Sequence, residues 1–209
     1  MPIFRNELNQ SAARIKRLNK ARLTRAQTDG HSRRVFRKKS FDWVARAKFT
    51  EIDAMNRGAI SSAINDMSKK YFNRKLNILD WGCGNGIAAK ELAQNKKLNV
   101  FGFSVDSSEG WLKPEGVTFL QTATESLPTF LKKKKVKLDV VYGYASFKHL
   151  SSFNHQIQTF NELSSALNIG ARVFPDPLHF EPRYVRSLEQ AGYSVEVYKN
   201  FIVSLTKVR

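Results

Sequence analysis

Acid is in short supply: 18 Asp and Glu stand against 35 Lys and Arg, giving a formal net charge of +17. Cysteine is nearly absent, with Cys83 alone. A single thiol excludes an internal disulfide and a cysteine-based zinc site, and it fits a reducing compartment, with the cytoplasm as the expected location. No apolar run approaches the roughly 18 to 20 residues that a membrane-spanning helix needs. The start, Met1 to Asn6, lacks the apolar core of a secretory signal. An Arg-rich, acid-poor start is also the composition of an organelle transit peptide, which stays a minor alternative. No cluster of metal-ligating residues stands out, so no metal is expected.

What is present is a core-forming composition, 42% apolar and 11% aromatic over 209 residues. That is enough for one full α/β domain with an appendage. The charge is unevenly placed: residues 1–75 carry a net of +13 and residues 76–209 a net of +4. We therefore divide the chain into a basic N-terminal arm, 1–39, and a domain over 40–209, with a helical lead-in at 40–75 and a core at 76–209. In the arm, Leu8, Ala12, Ile15, Leu18 and Leu23 recur at helical spacing over 5–28. Arg14 and Arg17 lie between them, and Arg33, Arg34, Arg37, Lys38 and Lys39 form a second cluster. Such a positive field raises encounter rates with polyanions, and the expected partner is RNA or a ribonucleoprotein. Aromatic residues are few before Phe36, which favours phosphate contact over base stacking. The oligomeric state is not legible. Apolar residues from Phe41 to Met67 predict one or two helices, with Gly58 as a candidate break.

From Leu76 onward strands and helices alternate. Strands are expected at 77–81, 99–105, 117–121, 138–142 and 171–174, helices at 87–95, 153–167 and 182–191, and a terminal antiparallel pair at 193–198 and 201–206. Lys132 to Lys135 reads as a solvated loop. Alternation of this kind implies a mostly parallel sheet covered on both faces. The first strand runs into Asp80-Trp81-Gly82-Cys83-Gly84-Asn85-Gly86. Glycine at alternate positions lets a chain turn sharply and lets a ligand approach closely. The helix that follows aims free N–H groups at that ligand. Open α/β sheets bind ligands at the carboxyl ends of their strands, where this loop falls.

The spacing differs from the dinucleotide fingerprint G-x-G-x-x-G. It resembles motif I of the class I S-adenosylmethionine-dependent methyltransferases. Further segments follow in the family's order over roughly 75–205: Gln121 to Pro128 after the third strand, ending in the family's turn at Leu127-Pro128, Leu138 to Leu150 around the fourth, Asn168 to Ala171 where the family turns into its fifth strand, and Ala191-Gly192-Tyr193 before the sixth. The resemblance implies a doubly wound, mostly parallel seven-stranded sheet with a basic α-helical N-terminal extension, and S-adenosylmethionine as cofactor. It implies that Asp80, Cys83 and the backbone of Gly82, Gly84 and Gly86 hold the methionine end, that Thr124 and Glu125 flank the adenine, and that Tyr142 and Gly143 line the bottom. The family's ribose-binding acid falls here at Ser104, with Asp106 two residues on. Either the loop shifts and Asp106 serves, or ribose binding is weakened. The helix between the second and third strands looks truncated, and Trp111 there is either a cofactor cover or a core anchor.

No Pro-Pro-Tyr motif of the amino-methylating DNA enzymes follows the fourth strand, and Cys83 lies away from the nucleophile position of the carbon-5 enzymes. The polar candidates for catalysis are His149, Tyr144 and Asp176, with His179 nearby. Histidine is the natural general base near neutral pH, so His149 ranks first. The expected function is methyl transfer to RNA or a ribonucleoprotein. A small-molecule methyltransferase and a catalytically silent, ribosome-associated scaffold are the alternatives.

Overall fold

The computed structural model describes residues 47–104, 115–121, 127–143, 153–175, 178–179, 181–199 and 201–209. The basic arm, with Arg14, Arg17, Arg33, Arg34, Arg37, Lys38 and Lys39, lies outside the described residues.

Two helices lead in, α1 (Phe49–Met55) and α2 (Ala59–Lys70), separated at Gly58. Gly58 sits at φ 77°, a left-handed turn that glycine takes without strain. The buried Asp53 then caps α2 from outside, accepting the N–H groups of Ile60 and Ser61 at 3.0 Å each. The core alternates β1 (Leu76–Trp81), α3 (Ile87–Ala93), β2 (Leu98–Ser104), β3 (Val117–Gln121), α4 (Leu127–Lys133), β4 (Leu138–Gly143), α5 (Phe153–Ser164), β5 (Leu167–Phe174), β6 (Leu178–His179), α6 (Pro182–Gln190), β7 (Tyr193–Tyr198) and β8 (Phe201–Lys207).

The sheet order is β3-β2-β1-β4-β5-β8, with β7 and the short β6 both paired to β8. Strands β1 to β5 are parallel, and β8 runs antiparallel to each of its partners. The sheet is thus mixed, with seven full strands and a two-residue eighth that the sequence did not announce. Every residue of β4 is buried, the mark of a strand covered on both sides. Two core clusters lie on the two faces. Phe49, Ile52, Ile60, Ile64, Ala89 and Leu92 from α1 to α3 pack on Ile78, Val140 and Tyr142. Leu127, Leu131, Phe160, Leu163, Tyr184 and Leu188 from α4 to α6 pack on Leu79, Val141 and Val173.

Three expectations are corrected. The run Lys132 to Lys135 is not all loop: Lys132 and Lys133 form the last turn of α4, whose Leu127 and Leu131 recur four residues apart and are buried. Helix α5 stops at Ser164, three residues early. The Asn168-Ile169-Gly170 turn lies inside β5 instead of before it, as a bulge. Leu138 pairs with Leu167 but Val140 with Arg172, so three extra residues are extruded, with Gly170 at φ 85°.

At the end where the parallel strands begin, the buried Asp139 ties several segments together. It accepts both arms of the Arg74 guanidinium at 2.7 and 2.8 Å, the Asn77 N–H at 2.9 Å and the Asn168 amide at 2.8 Å. The Arg74 guanidinium also lies 4.4 Å above the Tyr71 ring.

Candidate functional site

At the opposite end, β1 delivers Asp80 into the interior, 2% exposed, and the chain then turns. Gly82, Gly84 and Gly86 have φ of 79°, 51° and 77°. All three are left-handed, so chirality forbids a comfortable L-residue at each, and the alternation of glycine has a backbone cause. The turn is pinned to β2: the N–H groups of Gly82 and Cys83 both donate to the Phe103 carbonyl, at 2.8 and 2.9 Å. The Gly86 N–H closes back on the Cys83 carbonyl at 2.8 Å, and α3 begins there.

Strand register sets one row of residues side by side across the sheet: Phe119, Gly102, Asp80, Tyr142 and Phe174. Gly102 is a residue that sequence reading passed over. A Cβ at this position would meet the Phe119 ring at 3.0 Å and the Cys83 sulfur at 3.1 Å. Its bare Cα is what lets the turn and the Phe119 ring close over β2. A glycine inside an otherwise apolar strand was the available signal. Phe49 of α1 is the other unforeseen member, meeting the Tyr142 ring edge-on with centroids 5.6 Å apart.

Two polar atoms in this row have no partner among the described residues, Asp80 Oδ2 and the Tyr142 hydroxyl. A buried, unpaired polar group costs about 1–3 kcal/mol, so two side by side call for an explanation. Burial pushes the Asp80 carboxyl up to about 7. The nearby Tyr142 hydroxyl opposes this in part, but the two groups fall short of a formed hydrogen bond. Burial, and then the Asp80 charge, raise the Tyr142 phenol and the Cys83 thiol. Cys83 is therefore a thiol and a poor nucleophile; its side chain is buried, with the Gly84 carbonyl 4.0 Å from sulfur.

Of the residues singled out by sequence, the structure gathers Asp80, Gly82, Cys83, Gly84 and Gly86 on the turn, and Tyr142 and Gly143 at the end of the adjacent β4. Ser104 ends β2, in register with Gln121. Asp106, Trp111, Thr124, Glu125, Tyr144, His149 and Asp176 lie outside the described residues. His179 stands in β6, paired with Phe201 rather than in a loop.

An acceptor-only carboxylate beside an unpaired hydroxyl, under a turn of left-handed glycines, suits a ligand that brings N–H donors and needs close backbone approach. No protein-family model matches this chain, and no curated relative does. Solved structures match its fold. The S-adenosylmethionine-bound amino pentose methyltransferase CalS10 from Micromonospora echinaspora superposes with a TM-score of 0.54 at 12% identity, covering 78% of this chain and 98% of that one. Magnesium protoporphyrin IX methyltransferase from Synechocystis, also with S-adenosylmethionine bound, gives 0.51 at 16% identity, over 76% and 83%. A TehB-like S-adenosylmethionine-dependent methyltransferase from Corynebacterium glutamicum gives 0.50 at 12% identity, over 70% and 99%. The fold is that of the class I S-adenosylmethionine-dependent methyltransferases.

Proposed function

We propose that the chain is an S-adenosylmethionine-dependent methyltransferase of the cytoplasm that acts on RNA or a ribonucleoprotein, recruited through the basic arm. One observation carries the cofactor reading: the buried Asp80 carboxylate has an oxygen without a partner among the described residues, beneath three left-handed glycines. When bound, S-adenosylmethionine supplies a sulfonium methyl group open to in-line attack. The work of this chain is positioning, which can provide much of the rate of such a transfer. Asp80 would accept from the ammonium at the methionine end, and the Tyr142 hydroxyl would find its partner on the same molecule. The Gly82 to Gly86 backbone would let that end approach. Asp106 or Ser104 would take the ribose, Thr124 and Glu125 the adenine, and Gly143 the floor. His149 is the candidate general base, with Tyr144 and Asp176 as alternatives.

A second reading rests on the neighbours, two of which act on an amino pentose and on magnesium protoporphyrin IX. On this reading the acceptor is a small molecule and the arm is incidental. Calorimetric titration with S-adenosylmethionine and S-adenosylhomocysteine tests the shared part: micromolar binding is expected, and its absence from the folded protein would sink the enzymatic reading. Replacing Arg33, Arg34, Arg37, Lys38 and Lys39 by alanine separates the two. Loss of salt-dependent RNA binding together with turnover supports the first; unchanged turnover supports the second.

A further inference from the structure

The entering end of the sheet, remote from the glycine turn, collects unpaired cations from several segments. Lys75 precedes β1, Lys97 precedes β2, and Lys135 and Lys137 precede β4. Because β8 is antiparallel, its last residue, Lys207, and then Arg209 arrive at the same end. Contacts make the strip continuous. The Leu76 N–H donates to the Lys97 carbonyl at 3.1 Å, and the Asn77 amide to the Lys137 carbonyl at 2.7 Å. The Lys137 ammonium donates to the Ser165 carbonyl, and that of Lys207 to the Ser164 hydroxyl. Lys207 feels both Arg209 and Lys137, which lower its pKa after burial does. Among the described residues none of these six cations forms an ion pair.

The three most exposed large apolar side chains among the described residues stand on this same end: Phe72 at 85%, Ile169 at 71% and Val208 at 51%. Phe72 projects from the loop between α2 and β1. Ile169 is thrown outward by the β5 bulge, whose Asn168 is held by Asp139. Val208 follows β8 and is fixed by its N–H to the Gly192 carbonyl at 2.9 Å. Single exposed apolar residues are ordinary, but these three share an edge with the cations.

A nucleic acid would use the cations for phosphate and Phe72 for stacking, yet Ile169 and Val208 offer neither charge nor ring. A charged lipid surface uses all of them: cations hold acidic headgroups, and apolar side chains enter the acyl boundary. The strip crosses five strands, β2 to β8, roughly 20 Å at normal strand spacing, and presents a broad edge that a planar partner fits. We propose that this end of the domain docks on an anionic lipid bilayer, with Phe72, Ile169 and Val208 immersed and the lysines among the headgroups. The glycine turn then faces water. This surface is independent of the methyltransferase reading.

The test is cosedimentation of the full chain with vesicles of phosphatidylcholine alone, or mixed with phosphatidylserine. Partition into the mixed vesicles is expected. The triple substitution Phe72→Ser, Ile169→Ser and Val208→Ser keeps every charge, including those of the arm, and alters only exposed side chains. It should lower partition tenfold or more, by the lost apolar transfer, and leave thermal melting and the affinity for a single-stranded RNA oligonucleotide unchanged. Lys97→Glu with Lys135→Glu should weaken vesicle binding as well. Three results would overturn the proposal: no partition of the full chain, equal partition of the triple variant, or a triple variant that loses RNA and keeps vesicles.

Discussion

Two buried aspartates sit at opposite ends of the same sheet, and they teach opposite lessons. Asp139 is 1% exposed, and four donors from Arg74, Asn77 and Asn168 fill both of its oxygens. Asp80 is 2% exposed, and one of its oxygens has no donor among the described residues. Burial is the same; satisfaction differs. Asp139 closes the entering end of the fold, joining the approach to β1, the start of β4 and the β5 bulge. Asp80 leaves the other end incomplete. An incomplete buried site is expected where a ligand belongs, because strain held locally is stabilised by the structure around it.

The largest effect should come from breaking the complete end. Asp139→Ala removes the buried acceptor and leaves its donors on Arg74, Asn77 and Asn168 facing the gap. A loss of about 3–4 kcal/mol is expected from breaking a buried pair, read from the urea midpoint. Because the Arg74 side chain is 38% exposed, it can turn to water, which keeps the figure at the lower side of that range. Cofactor affinity should follow only through stability. A loss below about 1 kcal/mol would mean that the two ends are not different in kind.

The opposite substitution sharpens the contrast. The folded pKa of Asp80 is about 7, above the ordinary value of 3.8, so its protonated form suits the fold. Full stability is present below about pH 4 and is lost as pH rises through 7. At about 1.4 kcal/mol per pH unit, the ionised carboxylate costs the fold about 4 kcal/mol above neutrality. Asp80→Asn removes that charge but keeps a buried amide to satisfy, so about half should be recovered. Expected is a melting temperature raised at pH 8 and little changed at pH 4, with cofactor binding weakened at least tenfold. A variant less stable at pH 8 would show that Asp80 is as structural as Asp139.

These two residues also mark what the sequence could and could not announce. The glycine turn was legible because a left-handed backbone at Gly82, Gly84 and Gly86 leaves glycine little competition. The order of strands and the terminal hairpin followed from apolar periodicity. The Asp139 cluster was not legible, since its partners lie 29 to 65 residues apart and meet only in the folded sheet. Helix α4 was hidden by Leu127-Pro128, read as the end of a turn, although proline is welcome in a first helical turn. The Asn168-Ile169-Gly170 signal was real, but its left-handed glycine serves a bulge inside β5. Gly102 left one local trace, a glycine within an apolar strand, but what it makes room for, like the contact of Phe49 with Tyr142, forms only in the folded sheet.

Gly102→Ala tests the site's packing at a smaller scale. The new methyl meets an aromatic ring and a buried thiol at about 3 Å, and neither is a flexible side-chain end. Overpacking of this kind costs about 1–2 kcal/mol. It should also shift the turn and lower cofactor affinity several-fold, whereas Gly58→Ala, with open space around its Cβ, should affect stability through backbone strain alone. Equal affinity in both variants would dissociate Gly102 from the site.

The smallest effects come from two buried tyrosines, and there the sign is the test. The Tyr193 hydroxyl donates to the Phe160 carbonyl at 2.7 Å, while the Tyr142 hydroxyl has no partner among the described residues. Removing one oxygen from each leaves ring packing nearly intact. Tyr193→Phe should cost about 1 kcal/mol, because it breaks a formed buried bond. Tyr142→Phe removes a group that was desolvated without return, so the change in stability should be near zero or favourable. The same Tyr142→Phe should weaken S-adenosylmethionine binding while Tyr193→Phe leaves it alone. Denaturant melts and calorimetry on both proteins decide the matter. If Tyr142→Phe destabilises as much as Tyr193→Phe, its hydroxyl is already satisfied in solution, and the open end of the sheet is closed without a ligand.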